Sequence, residues 1–175
     1  ATRVGADGLI EKGRENLLPY SNDFSQWIKA GVTATSGQSG YDGSSDAWLL
    51  DTPIANGYLR KEVIFSGVST FSIYAKAGTA DGIFIGLAQS TFPNLKVDLS
   101  SQSFISSANI IDYNIQDVGN GWRRVSFSVS GSYIRINIKS VDSSGSFIDG
   151  TIYIQDAQLE IGLAATPYIE SGATT

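Results

Sequence analysis

The sequence predicts an all-β fold: an antiparallel two-sheet β-sandwich of jelly-roll type with an extended N-terminal arm. Three observations lead to this class. Apolar and polar residues alternate with a period of two in several stretches, turn-forming clusters separate these stretches at intervals of roughly 8–12 residues, and no long amphipathic helical pattern appears. The chain has 175 residues, of which 42% are hydrophobic and 11% aromatic, so it is able to bury a core.

The clearest predicted strand is residues 69–77, STFSIYAKA, in which Phe71 and Ile73 alternate with Ser72 and Tyr74. The same period recurs in residues 83–87, 124–129, 133–139 and 151–161. Weaker strands are predicted at residues 31–36, 47–51, 58–65, 95–99 and 110–115. Roughly nine or ten strands of this kind favour a jelly-roll sandwich.

Clusters of Gly, Asn, Asp and Ser lie between these stretches, and such residues tolerate the positive φ of tight turns. The predicted turns are SGQSGYDGSS, TPIANG, AGTADG, VGNG, SGS and DSSGS. Small polar residues also end the chain, in ESGATT. We therefore divide the chain into an arm or connector at residues 1–15, a jelly-roll domain at 16–170 and a second connector at 171–175.

The composition excludes several kinds of chemistry. The chain contains no Cys, His or Met, so disulfides, thiol nucleophiles, Ser-His-Asp triads and the common zinc sites are absent. Acidic residues in turn-like segments do not single out a pair for glycoside hydrolysis, and we expect no enzyme activity. The missing Met means either that the initiator was removed or that the chain is a piece of a longer polypeptide.

The charge balance argues against nucleic acid as a partner. Twelve Lys and Arg against 17 Asp and Glu give a net charge of −5, whereas a protein that binds duplex DNA needs a basic footprint. The sequence has no apolar run of the ~18 residues that would predict a membrane span. Phosphate-binding glycine motifs and EF-hand loops are also missing.

Several ordered segments carry a resemblance to a known family. They are residues 16–27 (NLLPYSNDFSQW), 42–50 (DGSSDAWLL), 71–78 (FSIYAKAG), 119–129 (GNGWRRVSFSV) and 152–170 (IYIQDAQLEIGLAATPYIE). In order and spacing they resemble a jelly-roll domain found in bacteriophage tail fibres and other virion proteins, related to carbohydrate-binding modules. The opening ATRVGADGLIEKGRENLL is similar to the junction that precedes such domains in phage structural proteins.

The resemblance implies a virion protein on an exposed tail or capsid appendage, and such fibre proteins commonly form homotrimers. Two functions stay open. The chain is either a non-catalytic module that binds host surface polysaccharide during attachment, or a purely structural or decoration protein whose surfaces contact sister subunits and other virion proteins. The closing segment IYIQDAQLE would return beside the first residues of the domain and hold both of its ends together.

Aromatic and polar side chains supply the candidate glycan-binding residues, because sugars bind to aromatic faces and hydrogen-bonding groups. Trp48 follows a glycine-rich loop, and it is either a sugar platform or part of the core; Trp27 and Trp122 are predicted in the core. In residues 133–139 the alternation puts Ile134, Ile136 and Ile138 inside. The predicted polar face is Tyr133, Arg135, Asn137 and Lys139 on one strand, with Tyr74 and Lys76 on another. An ordinary solvated or subunit-covered face explains the same pattern.

A structural Ca²⁺ is the one metal that the resemblance implies, between the first loop and the last strand. The matching positions are Asn22 or Asp23 and Asp156. Calcium needs six to eight oxygen ligands, several of which can be backbone carbonyls. The competing role for Asp23 is to cap a turn. No other cofactor is expected.

Overall fold

The computed structural model of the chain describes residues 2–4, 8, 10–12, 15–88 and 92–171. This part of the chain is built from antiparallel strands and one 3-10 helix, Phe24–Gln26. The strands are β1 (Thr2–Val4), β2 (Ile10–Lys12), β3 (Ile28–Ala30), β4 (Thr33–Gln38), β5 (Ala47–Thr52), β6 (Tyr58–Ala77), β7 (Gly82–Ala88), β8 (Asn94–Asp98), β9 (Ser103–Ala108), β10 (Asp112–Gly119), β11 (Trp122–Val141) and β12 (Gly150–Ile161).

Two strands of 20 residues each, β6 and β11, pair with one another along almost their whole length and belong to both sheets of a sandwich. The C-terminal half of β6 and the N-terminal half of β11 lie in the first sheet, in the order β4-β5-β12-β6-β11-β10. Their other halves lie in the second sheet, in the order β3-β6-β11-β7-β8-β9. The sandwich fold class predicted from the sequence is confirmed.

The paired strands pass from one sheet to the other at two glycines. Gly67 lies directly opposite Gly131 in the register, and Gly67 has a φ of +88° that residues with a Cβ rarely adopt. A Cβ at Gly131 would come within 2.7 Å of the Tyr133 hydroxyl. Glycine at both positions therefore allows the ribbon to bend.

The space between the sheets is filled by one apolar core to which both contribute. Phe71, Ile73, Val125 and Phe127 enter it from the first sheet. The second sheet supplies Leu59, Ile83, Ile85, Leu95, Val97, Ile136 and Ile138. The inward residues of 69–77 and 83–87 are those that the period of two predicted.

Two details of β11 differ from the prediction. The segment SGS at residues 130–132 was predicted to be a turn, but it is the bend within this single continuous strand. A β-bulge lies between Tyr133 and Arg135, where β6 has one residue more than β11, and the inward face of β11 changes from odd-numbered to even-numbered residues beyond it. Tyr133 is therefore buried against Phe65 with ring centroids 5.2 Å apart, whereas Ile134 is 38% exposed.

Other predicted turns are confirmed. The hairpin between β10 and β11 turns at Asn120 and Gly121, both with positive φ, as the VGNG cluster indicates. At the N-terminus β1 pairs antiparallel with β2, while residues 1, 5–7, 9, 13–14 and 172–175 lie outside the described residues. No helix in the described parts of the chain is long and apolar enough to cross a membrane.

Asn16 holds the two ends of the domain together, as the return of the last strand predicted. Its amide nitrogen donates to the carbonyl oxygens of Ala157 and Ile169, at 3.1 and 3.0 Å. Its amide oxygen accepts from the backbone N–H groups of Leu18 and Leu159. One side chain thus joins the entry loop, β12 and the C-terminal segment.

We predict that Asn16→Asp lowers the free energy of unfolding by about 2–4 kcal/mol, because both donated hydrogen bonds are lost and a carboxylate faces two carbonyl oxygens. Urea denaturation measures the change. The control Gln116→Glu makes the same chemical change at an exposed position of β10. Equal stability of the two variants would show that Asn16 does not hold the ends together.

Candidate functional site

The predicted site residues lie on two opposite surfaces and in the core. Arg135 and Asn137 point outward from the second sheet, whereas Tyr74 and Lys76 point outward from the first sheet, on the other side of the molecule. Tyr133 is 2% exposed and belongs to the core, so its predicted place on a polar face is wrong. The structure does not unite these residues in one site.

Two of the three tryptophans are buried and the third is half-buried. Trp27 belongs to the main core, as predicted. Trp48 is half-buried against that core, and its ring meets the edge of Phe24 at 6.0 Å. Trp122 is 1% exposed but lies on the outer side of the first sheet, in a second cluster with Ala47 and Tyr74.

The outward side of the second sheet carries four cations and one amide side chain, which together we call the basic face. It comprises Arg60 on β6, Arg135, Asn137 and Lys139 on β11, and Lys96 on β8. The strand register places them on one side, since Arg60 is opposite Asn137, and Phe84 of β7 is opposite both Lys139 and Lys96. The Arg60 Nε donates to the Asn137 Oδ1 at 3.0 Å, which fixes both side chains.

Aromatic rings border the basic face. The Phe84 ring lies over Gly86, where a Cβ would come within 2.7 Å of it, and it stacks with Phe92 at a centroid distance of 6.2 Å. Phe92 remains 42% exposed. The ammonium groups of Lys96 and Lys139 lie over the Phe147 ring at 4.7 and 4.6 Å. Cations of the second sheet and the accessible ring of Phe92, which precedes β8 and packs on Phe84, therefore lie on the same side of that sheet.

The opposite surface, on the first sheet, contains an acidic cleft of about 430 Å³. Tyr41 and Tyr74 stack in it with ring planes 3° apart and centroids 3.6 Å apart. The lining residues are Asn22, Tyr41, Asp42, Asp46, Tyr74, Gln155, Asp156, Pro167, Tyr168 and Glu170.

A β-bulge in β12 turns Asp156 into the acidic cleft. The register shifts between Gln155 and Gln158, and Asp156 adopts a left-handed φ of +52°. Its backbone N–H donates to the Asn22 Oδ1 at 2.9 Å, and its Oδ2 accepts from the Tyr41 hydroxyl at 2.8 Å. The bulge is therefore held in place by the first loop of the domain.

The environment of the acidic cleft favours the neutral form of Asp156. Burial is the main cause, and the charges of Asp42, Asp46 and Glu170 add to it, so the pKa of Asp156 rises to about 6 although the Tyr41 hydrogen bond opposes the shift. Burial also raises the pKa values of Tyr41 and Tyr168. Both phenols are therefore neutral donors at physiological pH.

The structure brings two of the three candidate calcium ligands together. Asn22 and Asp156 are hydrogen-bonded, whereas the Asp23 carboxylate accepts from the backbone N–H of Ser25 and caps the 3-10 helix. Within the described residues no three carboxylates are placed to hold a metal ion. Calcium binding stays a prediction, with Asn22 and Asp156 as the residues that would take part.

Sequence reasoning missed some residues of both surfaces. Arg60 and Lys96 join the basic face because of long-range strand register, for which a single sequence carries no signal. Tyr41 in the acidic cleft was detectable in principle, since a lone aromatic within SGQSGYDGSS is unusual for a pure turn.

Comparisons with known proteins give the fold. No family model and no curated protein matches the chain. The CBM22-1 xylan-binding domain of Paenibacillus barcinonensis Xyn10C is similar to it with a TM-score of 0.53 and 16% identity, over 89% of this chain and 99% of that domain. This likeness shows that the chain has the β-sandwich fold of such a module.

Two larger proteins are similar over only part of their length. The CBM22-1–GH10 modules of Clostridium thermocellum xylanase 10B give a TM-score of 0.49 at 11% identity, over 84% of this chain and 28% of that one. Bacteriophage CBA120 tailspike protein 4 gives 0.45 at 17% identity, over 85% and 21%. The chain spans about a quarter of the length of these proteins.

We predict that Asp156→Asn stabilises the protein at pH 7–8. The folded-state pKa of Asp156 is about 6, above the ordinary value of 3.8. The Asp156 carboxyl therefore stabilises the fold fully below pH 3.8, and this stabilisation is lost as the pH rises through 6. A shift of about two units is worth on the order of 3 kcal/mol. Urea denaturation from pH 4 to 8 should show a falling wild-type stability and a flatter profile for the variant.

Asp42→Asn is the control, because its expected effect on stability is opposite to that of Asp156→Asn. Burial acts to raise the pKa of Asp42, but hydrogen bonds from Ser44 and Gln155 outweigh it and lower the pKa. This substitution should therefore cost stability above pH 4. If Asp156→Asn destabilises at pH 7 instead, and abolishes a stabilisation of the wild type by Ca²⁺, Asp156 is a calcium ligand and the prediction is wrong.

Proposed function

We propose that the chain is a non-catalytic glycan-binding module on an exposed tail or capsid appendage of a bacteriophage, where it attaches to host surface polysaccharide. The observation that carries this proposal is the basic face. There the Phe92 ring, which is 42% exposed, lies 3.1 Å from where a Cβ of Gly86 would be, and Gly86 is opposite Asn137, which accepts a hydrogen bond from Arg60.

This arrangement suits the chemistry of a sugar. The C–H groups of a pyranose pack on an aromatic face, and guanidinium and ammonium groups donate hydrogen bonds to its oxygens. Because the donors of the basic face are carried by paired strands, they are held in place before a ligand arrives.

Two further points support the proposal. The fold is that of a xylan-binding domain from another protein, although a fold hosts many functions. The assignment to a virion appendage depends on the resemblance of the ordered sequence segments to phage modules. Absence of enzyme activity is part of the proposal, and the lack of His and Cys in the sequence agrees with it.

A second function, assembly of the virion, is favoured by a different surface. Four exposed aliphatic residues, Ile64, Val68, Ile161 and Leu163, lie near the bend of the β6–β11 ribbon, and we call them the apolar rim. Ile64 is 87% exposed and Ile161 is 67% exposed. The rim adjoins a groove of about 470 Å³ lined by Leu17, Pro19 and Val63. Exposed aliphatic groups of this kind are typical of subunit contacts, and the occupant that we propose is a sister chain of a homotrimer.

We predict that Phe92→Ala weakens glycan binding about tenfold, because the stacking surface is lost. A glycan array and then calorimetry with the selected sugar measure the change. Phe104→Ala is the matched control, since Phe104 is also 42% exposed but stacks on Tyr113, between β9 and β10. Equal loss in both variants, or no saturable binding by the wild type, would contradict the proposed function.

We predict that Ile64→Ser together with Ile161→Ser converts a trimer into monomers while the fold is kept, because polar side chains then replace the exposed part of the rim. Sedimentation equilibrium gives the oligomeric state. Ile54→Ser is a control, as Ile54 is 60% exposed in the loop between β5 and β6, away from the rim. A wild-type protein that is monomeric at high concentration would overturn the assembly function.

A further inference from the structure

The basic face has a charge opposite to that of the chain as a whole. The protein carries a net charge of −5, yet the side chains that define this face include four cations. Glu62 is the cross-strand neighbour of Arg135, and its carboxylate lies 3.9 Å from an Arg60 nitrogen. Glu62 is 52% exposed, so that ion pair is worth little in water.

Three of the four cations have no acidic partner in the described chain. Arg135, Lys139 and Lys96 form no ion pair there; Lys96 donates to the Gly145 carbonyl oxygen instead. The Nε of Arg135 is buried and has no hydrogen-bond partner.

The cations also repel one another. The pKa of Lys139 is lowered, mainly by its burial and in addition by the positive charge of Arg60. Crowded, partly desolvated cations raise the local positive potential, and the low dielectric of the sheet strengthens it.

Four acidic groups lie on the other side of the sandwich, whereas Asp81, Asp98 and Asp142 lie at the ends of second-sheet strands and accept hydrogen bonds from backbone N–H groups. Asp42, Asp46, Asp156 and Glu170 surround the acidic cleft on the first sheet. The two sheets separate these carboxylates from the basic face, and a distance above the Debye length of about 8 Å screens their charge at physiological salt. An anion near the basic face therefore meets the cations without strong competition from the acidic cleft.

We infer that the glycan recognised at the basic face is an acidic polysaccharide, with carboxylate groups along its chain. This inference rests on the proposed glycan-binding function. Arg135 and Arg60 have the planar donor pattern that binds a carboxylate through two hydrogen bonds. Lys139 and Lys96 stand on strands two ladder spacings apart, and both of their ammonium groups lie within 4.7 Å of the centre of the Phe147 ring, so two positive charges flank one position on the face.

The test compares polygalacturonate with a carboxyl-reduced sample of the same polymer, by calorimetry at 50 and 500 mM NaCl. We expect the wild type to prefer the acidic polymer and to lose affinity at high salt. Lys139→Gln and Arg135→Gln should each weaken binding about five- to tenfold. Arg135→Lys should recover part of the loss.

Lys76→Gln is the matched control. Lys76 is also a half-buried lysine on the outer face of a sheet, with its ammonium 5.8 Å from the centre of the Tyr153 ring, but it lies on the opposite sheet. Its removal changes the net charge equally and should alter affinity less than twofold. Thermal melting of every variant separates loss of binding from loss of fold.

Each other outcome has a definite meaning. Binding of the reduced polymer that Phe92→Ala weakens and Lys139→Gln does not would overturn the acidic ligand and leave the glycan-binding function intact. Failure to bind any polysaccharide would overturn both. Equal affinity for duplex DNA, lost in the same charge variants, would show an unspecific polyanion surface and reject the inference.

Discussion

The pairing of β6 with β11 is the constraint on which the rest of this structure depends. Each strand has 20 residues, and the ribbon that they form crosses from one sheet to the other at Gly67 and Gly131. Both sheets grow outward from it, by addition of β12 and β10 on one side and of β7 and β3 on the other. The two sheets face each other because this ribbon bends once, and glycine at both positions makes the bend possible.

The same ribbon explains what a single sequence reveals and what it conceals. Alternation in residues 69–77 and 124–129 predicts strands with the right inward faces, because side chains of a regular strand alternate between its sides. It cannot reveal that SGS at 130–132 bends a continuous strand, since Gly and Ser are equally typical of a turn. The partner glycine lies 64 positions earlier in the chain, and only the register brings the two together.

Bulges were the second source of error, and they decide which groups face outward. One extra residue in β6, opposite Ile134, shifts the register with β11 at the point where Tyr133 lies in the core and Ile134 at the surface. Another in β12 directs Asp156 into the acidic cleft, where Asn22 and Tyr41 hold it. A bulge leaves the residues of a strand unchanged but reverses which of them face inward. Strict alternation therefore placed Tyr133 wrongly among the glycan-binding candidates of the polar face. Arg135 and Asn137 were placed correctly, because both lie beyond the bulge.

The two functions proposed for this chain use different parts of the ribbon. Arg135, Asn137 and Lys139 occupy the C-terminal half of β11, whereas Ile64 and Val68 of the apolar rim are close to the bend. A sister chain on the rim leaves the far end of the basic face, with Lys139 and Lys96, open to a ligand. Subunit contacts near the bend would therefore leave one basic face on each subunit of the oligomer open to a ligand. A long polymer that binds to several of these faces at once is held with a much higher overall affinity than by one face alone. Assembly and glycan binding are thus compatible, and the first would strengthen the second.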